Sequence, residues 1–202
     1  MARHGRILLA LVSAIAVLSG LAGAASANRL SLSDQTFKAR WSGMRFSTEV
    51  LTGISCGLTL EGSFHTRSFA KVAGSLIGYV TAATGGRCNE GWNSATLSDA
   101  LPWHVQYTSF TGALPNITRM NTVVIGFRIL ITEGFGFSCL YRSTAEKPLV
   151  MKFNREAGGT LGGIELEGTL PATEMLCSQG IFGGGSIGVT SMTGAAIRLT
   201  LI

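Results

Sequence analysis

The segment Ile54–Phe64 alternates apolar and polar or small residues, and this pattern constrains the fold more than any other feature of the chain. Ile54, Cys56, Leu58 and Leu60 share one face, while serine, glycine, threonine and glutamate occupy the positions between them or directly after them. A period of two is that of a strand with one buried face. The pattern therefore predicts a molecule built from half-buried β-strands.

Similar segments recur along the chain and are separated by turn residues. Turn chemistry appears at Leu114-Pro115-Asn116, at Glu133-Gly134 and at Gly183-Gly184-Gly185. We predict a mainly β fold, an antiparallel β-sandwich or barrel of about ten short strands. The strands are expected at residues 44–50, 54–64, 95–98, 103–113, 122–132, 135–142, 149–153, 163–170, 186–192 and 196–202.

Residues 66–82 are the exception, because their apolar positions are spaced as on a helix. Phe69, Val72, Leu76 and Val80 recur every three or four residues. We therefore predict one short helix here, with a further strand as the alternative. Two glycines within the segment weaken the helix by about 1 kcal/mol each.

Residues 1–27 have the organisation of a secretory signal peptide. Arg3 and Arg6 precede an apolar run, and Ala25-Ser26-Ala27 is an A-x-A cleavage motif. The run of about a dozen residues is shorter than the ~20 that span a bilayer, although an uncleaved anchor is an alternative. We expect cleavage after Ala27, with no membrane span afterwards. Residues 28–202 would then be a secreted single β-rich domain, extracellular or in the cell envelope.

Four cysteines follow this segment: Cys56, Cys88, Cys139 and Cys177. An even number of cysteines in an exported chain predicts disulfides. Three pairings are possible. Local closure favours Cys56–Cys88 with Cys139–Cys177, and each loop would contribute about 3–4 kcal/mol in the chain-entropy model.

Charge and metal-ligand spacing argue against several classes of partner. Fourteen of the sixteen Lys and Arg residues follow the signal peptide, against eleven acids, so the net excess there is only three. These cations are scattered, whereas nucleic-acid-binding proteins carry a basic stripe. The cysteines lack C-x2-C or C-x4-C spacing, and only His65 and His104 follow the signal peptide. We expect no nucleic-acid partner, no metal and no cofactor.

The central stretch 101–117 holds the most concentrated chemistry. Read as a strand, it places Trp103, Val105, Tyr107 and Ser109 on one face, which we expect to face the core. The opposite, polar face is the candidate binding surface. It carries His104, Gln106, Thr108 and Phe110.

Catalysis would need a general base, and the candidates are few. His104 or His65 could take a proton with Glu61 or Asp99 as the acidic partner. A base must lie within about 2.6–3.2 Å of the proton donor, directly or through one water. The sequence places none of these four side chains together, so a secreted hydrolase is an alternative hypothesis only.

Several motifs resemble a family of small exported proteins from high-GC Gram-positive bacteria. The family has no known function, so the resemblance implies export and one compact domain but assigns no site residues. The motifs are Leu58-Thr59-Leu60-Glu61-Gly62-Ser63-Phe64-His65, Lys71-Val72-Ala73-Gly74-Ser75-Leu76-Ile77-Gly78-Tyr79-Val80, Leu101-Pro102-Trp103-His104-Val105 and Phe110-Thr111-Gly112-Ala113-Leu114-Pro115.

The favoured hypothesis for function is a secreted or envelope-associated, non-catalytic binding or structural module whose partner is unknown. A carrier with a small apolar ligand in a pocket inside a β-barrel is a second hypothesis, since such pockets are concave and mostly apolar. The secreted hydrolase is the third.

Overall fold

A computed structural model describes residues 29–49, 53–96, 98–114, 116–133 and 136–202. The predicted signal peptide, residues 1–27, lies outside the described residues. The described part forms fifteen strands and two short 3-10 turns, and every strand pairing is antiparallel. The predicted mainly β, antiparallel fold class is confirmed. No helix in these ranges is long and apolar enough to cross a membrane.

The strands vary from two to thirteen residues in length. In chain order they are β1 (Arg29–Leu32), β2 (Thr36–Ser47), β3 (Ile54–Phe64), β4 (Ser68–Ala70), β5 (Leu76–Cys88), β6 (Trp92–Thr96), β7 (Trp103–Ala113), β8 (Asn116–Ile125), β9 (Arg128–Glu133), β10 (Ser138–Arg142), β11 (Leu149–Arg155), β12 (Leu161–Leu170), β13 (Gly180–Gly185), β14 (Val189–Thr190) and β15 (Leu199–Leu201).

Eight strands close into a ring, in the order β5, β3, β2, β13, β12, β11, β8, β7 and back to β5. The ring closes on β5 because this long strand has two partners along one edge. Its first half pairs with β7, where Tyr79 lies opposite His104, and its end pairs with β6, where Arg87 lies opposite Asn93. β6 then leads to β9 and β10, which extend the sheet beyond the barrel.

Side chains from the inward faces of the strands fill the barrel, and β3 shows the alternation most clearly. In β3 every second residue from Ile54 to Phe64 is buried. Rings from different walls meet inside: the Phe153 ring lies 5.6 Å from the rings of both Phe37 and Phe64, measured between centroids. An eight-stranded barrel is just wide enough for side chains to fill it.

Aromatic side chains from outside the ring of strands pack over both ends of the barrel. At one end the sheet β15-β1-β4 brings Phe69 to 6.3 Å from the ring of Phe64 and from that of Tyr107. At the other end Tyr141 of β10 packs 4.9 Å from Phe46 and 5.6 Å from Phe182. The extension β6-β9-β10 therefore shares its core with the barrel.

Two disulfides cross-link these parts, with the predicted pairing. Cys56–Cys88 joins neighbouring strands β3 and β5, and Cys139–Cys177 joins β10 to the loop between β12 and β13. Both predicted pairs are confirmed.

The predicted helix over residues 66–82 is wrong. This segment forms β4, a turn and the first half of β5. Gly74 in the turn has φ +80°, and a Cβ on Gly78 would lie 2.3 Å from the Ser63 carbonyl oxygen, so the glycines serve a turn and a close strand pairing. Phe69 and Val80 are both buried, but they belong to different sheets. Their spacing in the sequence therefore does not mark one face of a helix.

Other expectations about strands are also corrected. The strands number fifteen rather than about ten, and several exceed ten residues. The predicted strand 122–132 is divided at Gly126, which has φ +92°. The glycines predicted as a turn at 183–185 belong to β13, whereas most of the predicted strand 186–192 is irregular.

Candidate binding surface

Strand β7 buries the predicted face of the central stretch. Trp103, Val105 and Tyr107 are 0%, 0% and 2% exposed, which confirms their core role. The alternation slips after Tyr107, where the pairing with β8 has a bulge. Ser109 is consequently exposed and Phe110 packs against the core, the reverse of the prediction for both.

The outward face of β7 lies beside β5 and brings the two candidate histidines to one tyrosine. The Tyr79 ring lies 4.9 Å from the His65 ring and 5.4 Å from the His104 ring, between centroids. Both histidines are exposed. Gln106 and Thr108 follow His104 along the same strand and are half-buried.

The structure does not join these histidines to the candidate acids. The Glu61 carboxylate instead pairs with the Lys38 ammonium at 2.7 Å, and Asp99 is exposed on a 3-10 turn. Within the described ranges neither imidazole forms an ion pair or a side-chain hydrogen bond, and no three potential metal ligands cluster. The three rings of His65, Tyr79 and His104, which we call the ring row, thus lie on the surface without an assembled acid–base pair.

A groove opens on the outer wall between β2 and β13, and we call it the β2–β13 groove. Its volume is ≈ 590 Å³. A smaller depression of ≈ 290 Å³ lies against an earlier part of β2, lined by Lys38, Arg40, Ile187, Gly188 and Thr190. The groove itself is lined by Gly43, Arg45, Ser47, Ile181, Gly183, Gly184 and Gly185.

Glycines on β13 form the floor of this groove, because they have no side chains to fill it. Gly183 and Gly185 occupy outward positions between Ile181 and Ile187, which are 55% and 69% exposed. A Cβ on either glycine would meet no atom within 4 Å, and neither has a positive φ. Neither packing nor backbone conformation therefore requires glycine at these two positions.

The charge in the β2–β13 groove comes from Arg45 on β2. Arg45 lies opposite Gly183 in the ladder, and Arg40 lines the smaller depression further along the same strand. Both arginines are exposed, and neither guanidinium has a hydrogen bond or ion pair among the residues that the structure describes. These guanidiniums are available to an incoming group.

The neighbouring strand β12, outside the lining of the groove, carries two carboxylates that already have partners. Glu167 lies opposite Gly183 and pairs with Lys152, while Glu165 lies opposite Gly185 and pairs with Arg119 at 3.5 Å. Arg45 therefore supplies the positive charge in the lining of the groove, and the carboxylates on the neighbouring strand are already neutralised.

The groups with the shifted pKa values described next lie away from this groove. Burial, together with the charge of Glu174, raises the pKa of Tyr141 to about 12. Although desolvation opposes it, hydrogen bonds from the Leu140 amide and Thr173 lower the pKa of Glu174. The Thr36 amide and hydroxyl, each 2.8 Å from the Asp34 carboxylate, lower the pKa of Asp34.

Sequence reasoning missed the groove because the triple glycine was read as a turn. The detectable signal was the alternation Ile181, Gly183, Gly185, Ile187, in which apolar residues and glycines occupy the same face. Comparisons with protein-family models, curated proteins and solved structures found no match. The resemblance to exported Gram-positive proteins stays a prediction.

Proposed function

We propose that the protein is a secreted or cell-envelope-associated, non-catalytic binding module that holds its partner in the β2–β13 groove. The A-x-A motif at Ala25-Ser26-Ala27 supports export. The two disulfides fit an oxidising compartment. The partner is unidentified, and its chemistry is constrained only by the groove.

One observation carries the binding proposal: the unpaired guanidinium of Arg45 stands beside an open groove. Arginine presents five donors in a planar fork, which suits carboxylate or phosphate oxygens. The bare peptide surface at Gly183 lets a ligand approach the backbone closely. The exposed Ile181 offers apolar contact at the end of the same groove.

The other two hypotheses have less support. Against a carrier, the Phe153 ring touches Phe37 and Phe64 where a pocket inside the barrel would lie. Against a hydrolase, the Glu61 carboxylate pairs with the Lys38 ammonium, and no ion pair joins it to either histidine in the described part of the chain. The groove on the outer wall needs neither an interior pocket nor an acid–base pair.

The test is retention of the purified, disulfide-bonded chain on the envelope fraction of the producing cells after its lipids have been extracted, so that binding to a bilayer does not contribute. We expect Arg45→Gln to weaken retention about tenfold or more, since a hydrogen bond to a charged group is worth about 1.5–3 kcal/mol. Gly183→Val should abolish retention by filling the groove.

Matched variants separate the groove from the rest of the surface. Arg87→Gln removes another exposed arginine outside the groove, and the pair His65→Gln with His104→Gln removes the ring row. Both should bind as wild type. Retention that survives Gly183→Val, or that disappears in the histidine pair while the fold is intact, would contradict the proposal.

A further inference from the structure

The loop between β12 and β13 exposes two large apolar side chains side by side. Met175 is 100% exposed and Leu176 is 87% exposed. Phe137, which precedes β10, is 40% exposed. Because Phe137 lies two residues from Cys139, and Met175 two residues from Cys177, the Cys139–Cys177 disulfide holds the two segments together. We call Phe137, Met175 and Leu176 the apolar tip.

The apolar tip is held outward by bonds at its base. The Thr173 amide donates to the Leu140 carbonyl at 2.9 Å, and the Leu140 amide donates to the Glu174 carboxylate at 2.7 Å. The Arg142 amide reaches the Pro171 carbonyl at 3.3 Å. The loop is thus tied along the edge of β10, and these ties project its apolar side chains into solvent.

The outer face of β9 and β10 carries two leucines and two arginines, with the arginine pair at the end of the ladder away from Cys139. Leu130 lies opposite Leu140 in the ladder, and both are half-buried. Arg128 lies opposite Arg142, and neither has an ion pair within the described part of the chain. Like charges directly opposite each other destabilise a sheet. An anionic group shared by the two guanidiniums would reverse that effect.

We propose that this end of the molecule docks on the surface of an anionic phospholipid bilayer. Arg128 and Arg142 bind lipid phosphates, and Met175 and Leu176 enter the interfacial layer together with Phe137. Arginine suits phosphate recognition, and basic residues beside apolar side chains are the usual means of interfacial binding. The inference uses none of the groove residues and is independent of the proposed function.

A bilayer fits this surface better than a protein pocket does, because the tip is convex. Unbranched Met175 and γ-branched Leu176 protrude from a loop rather than line a depression. A protein partner needs a complementary cavity for such a tip, whereas a fluid interface adapts to it. Arg128 and Arg142, at the other end of β9 and β10, supply the positive charge that favours an anionic surface.

The experiment is cosedimentation of the disulfide-bonded chain with phosphatidylglycerol–phosphatidylcholine vesicles and with phosphatidylcholine vesicles. Binding should be at least tenfold tighter to the anionic vesicles. Met175→Gln with Leu176→Gln should lower that binding tenfold or more. Val72→Gln, at a site 60% exposed in another turn, is the matched control and should bind as wild type.

The arginine pair is tested by Arg128→Gln with Arg142→Gln, which should remove the preference for anionic vesicles. Thermal unfolding confirms folding in each variant: the tip variant should melt as wild type, and the arginine variant should melt at the same or a higher temperature because the like charges of Arg128 and Arg142 are removed. Equal sedimentation with both vesicle types, or wild-type binding by the tip variant, would overturn the proposal. A concentration-dependent dimer that the tip substitutions abolish, without vesicle binding, would overturn it in favour of self-association.

Discussion

Gly180 and Gly183 lie three residues apart on β13, and a side chain at each position would meet different surroundings. A Cβ on Gly180 would lie 2.5 Å from the Phe46 ring and 2.7 Å from the Tyr141 ring, whereas one on Gly183 would meet nothing within 4 Å. The first glycine serves the core, and the second leaves the β2–β13 groove open. Within one strand, the inward face is set by packing and the outward face is free to serve binding.

The largest effect on stability should come from removing a side chain that packs inside the barrel. Phe153→Ala removes a fully buried ring that contacts both Phe37 and Phe64. We expect the free energy of unfolding to fall by about 3–5 kcal/mol, measured by urea denaturation with the disulfides intact. A loss below about 1 kcal/mol would mean that the barrel interior is not packed as described.

The two glycines of β13 give the sharpest test of the comparison. Gly180→Ala should lower the free energy of unfolding by about 1–3 kcal/mol through overpacking. Gly183→Val should raise it by about 0.5–1 kcal/mol, because glycine is unfavourable in a strand and valine favourable. Denaturant titrations of both variants check this. Equal destabilisation by the two would show that Gly183 also serves the fold.

The smallest effect should come from acidification at the start of β2. The folded-state pKa of Asp34 lies below its ordinary value of 3.8, because the Thr36 amide and hydroxyl donate to the carboxylate. The resulting stabilisation is complete above the unfolded-state pKa and is lost as pH falls through the folded-state pKa. Asp34→Asn should therefore melt at a lower temperature than wild type near pH 6, and the difference should shrink below pH 3.8. A constant difference across pH would assign the effect to something other than this carboxylate.

Local periodicity predicted those parts of the fold in which one face of a strand meets the core. The alternation in β3 and the buried positions Trp103, Val105 and Tyr107 followed from a period of two. Local closure also predicted both disulfides. In these places the short-range pattern and the tertiary structure make the same demand on each residue.

Features set by long-range pairing were not predictable in this way. Residues 66–82 have helical spacing, but the second half of this segment instead pairs as β5 with β3 and β7. The bulge after Tyr107 reversed the expected sides of Ser109 and Phe110. The meeting of His65 and His104 at Tyr79 depends on closure of the ring of strands, which no local pattern encodes.

The β2–β13 groove was not predicted for a different reason: glycines, which have no side chains, form its floor. A run of glycines has the same composition whether it forms a turn or the floor of a groove. Only the pairing of Gly183 with Arg45 on one side and Glu167 on the other distinguishes the two.

The tie between β10 and the loop before β13 also bears on self-association. β10 lies at one margin of the large sheet, where unpaired amides and carbonyls invite strand addition from another molecule. Residues 171–174 shield that margin, with Ala172 bridging to Tyr141 and the Cys139–Cys177 disulfide closing the segment. The Cys139–Cys177 disulfide therefore fastens the end of a segment that already covers this edge strand by hydrogen bonds, and fewer of its amides and carbonyls are left open to a neighbouring molecule.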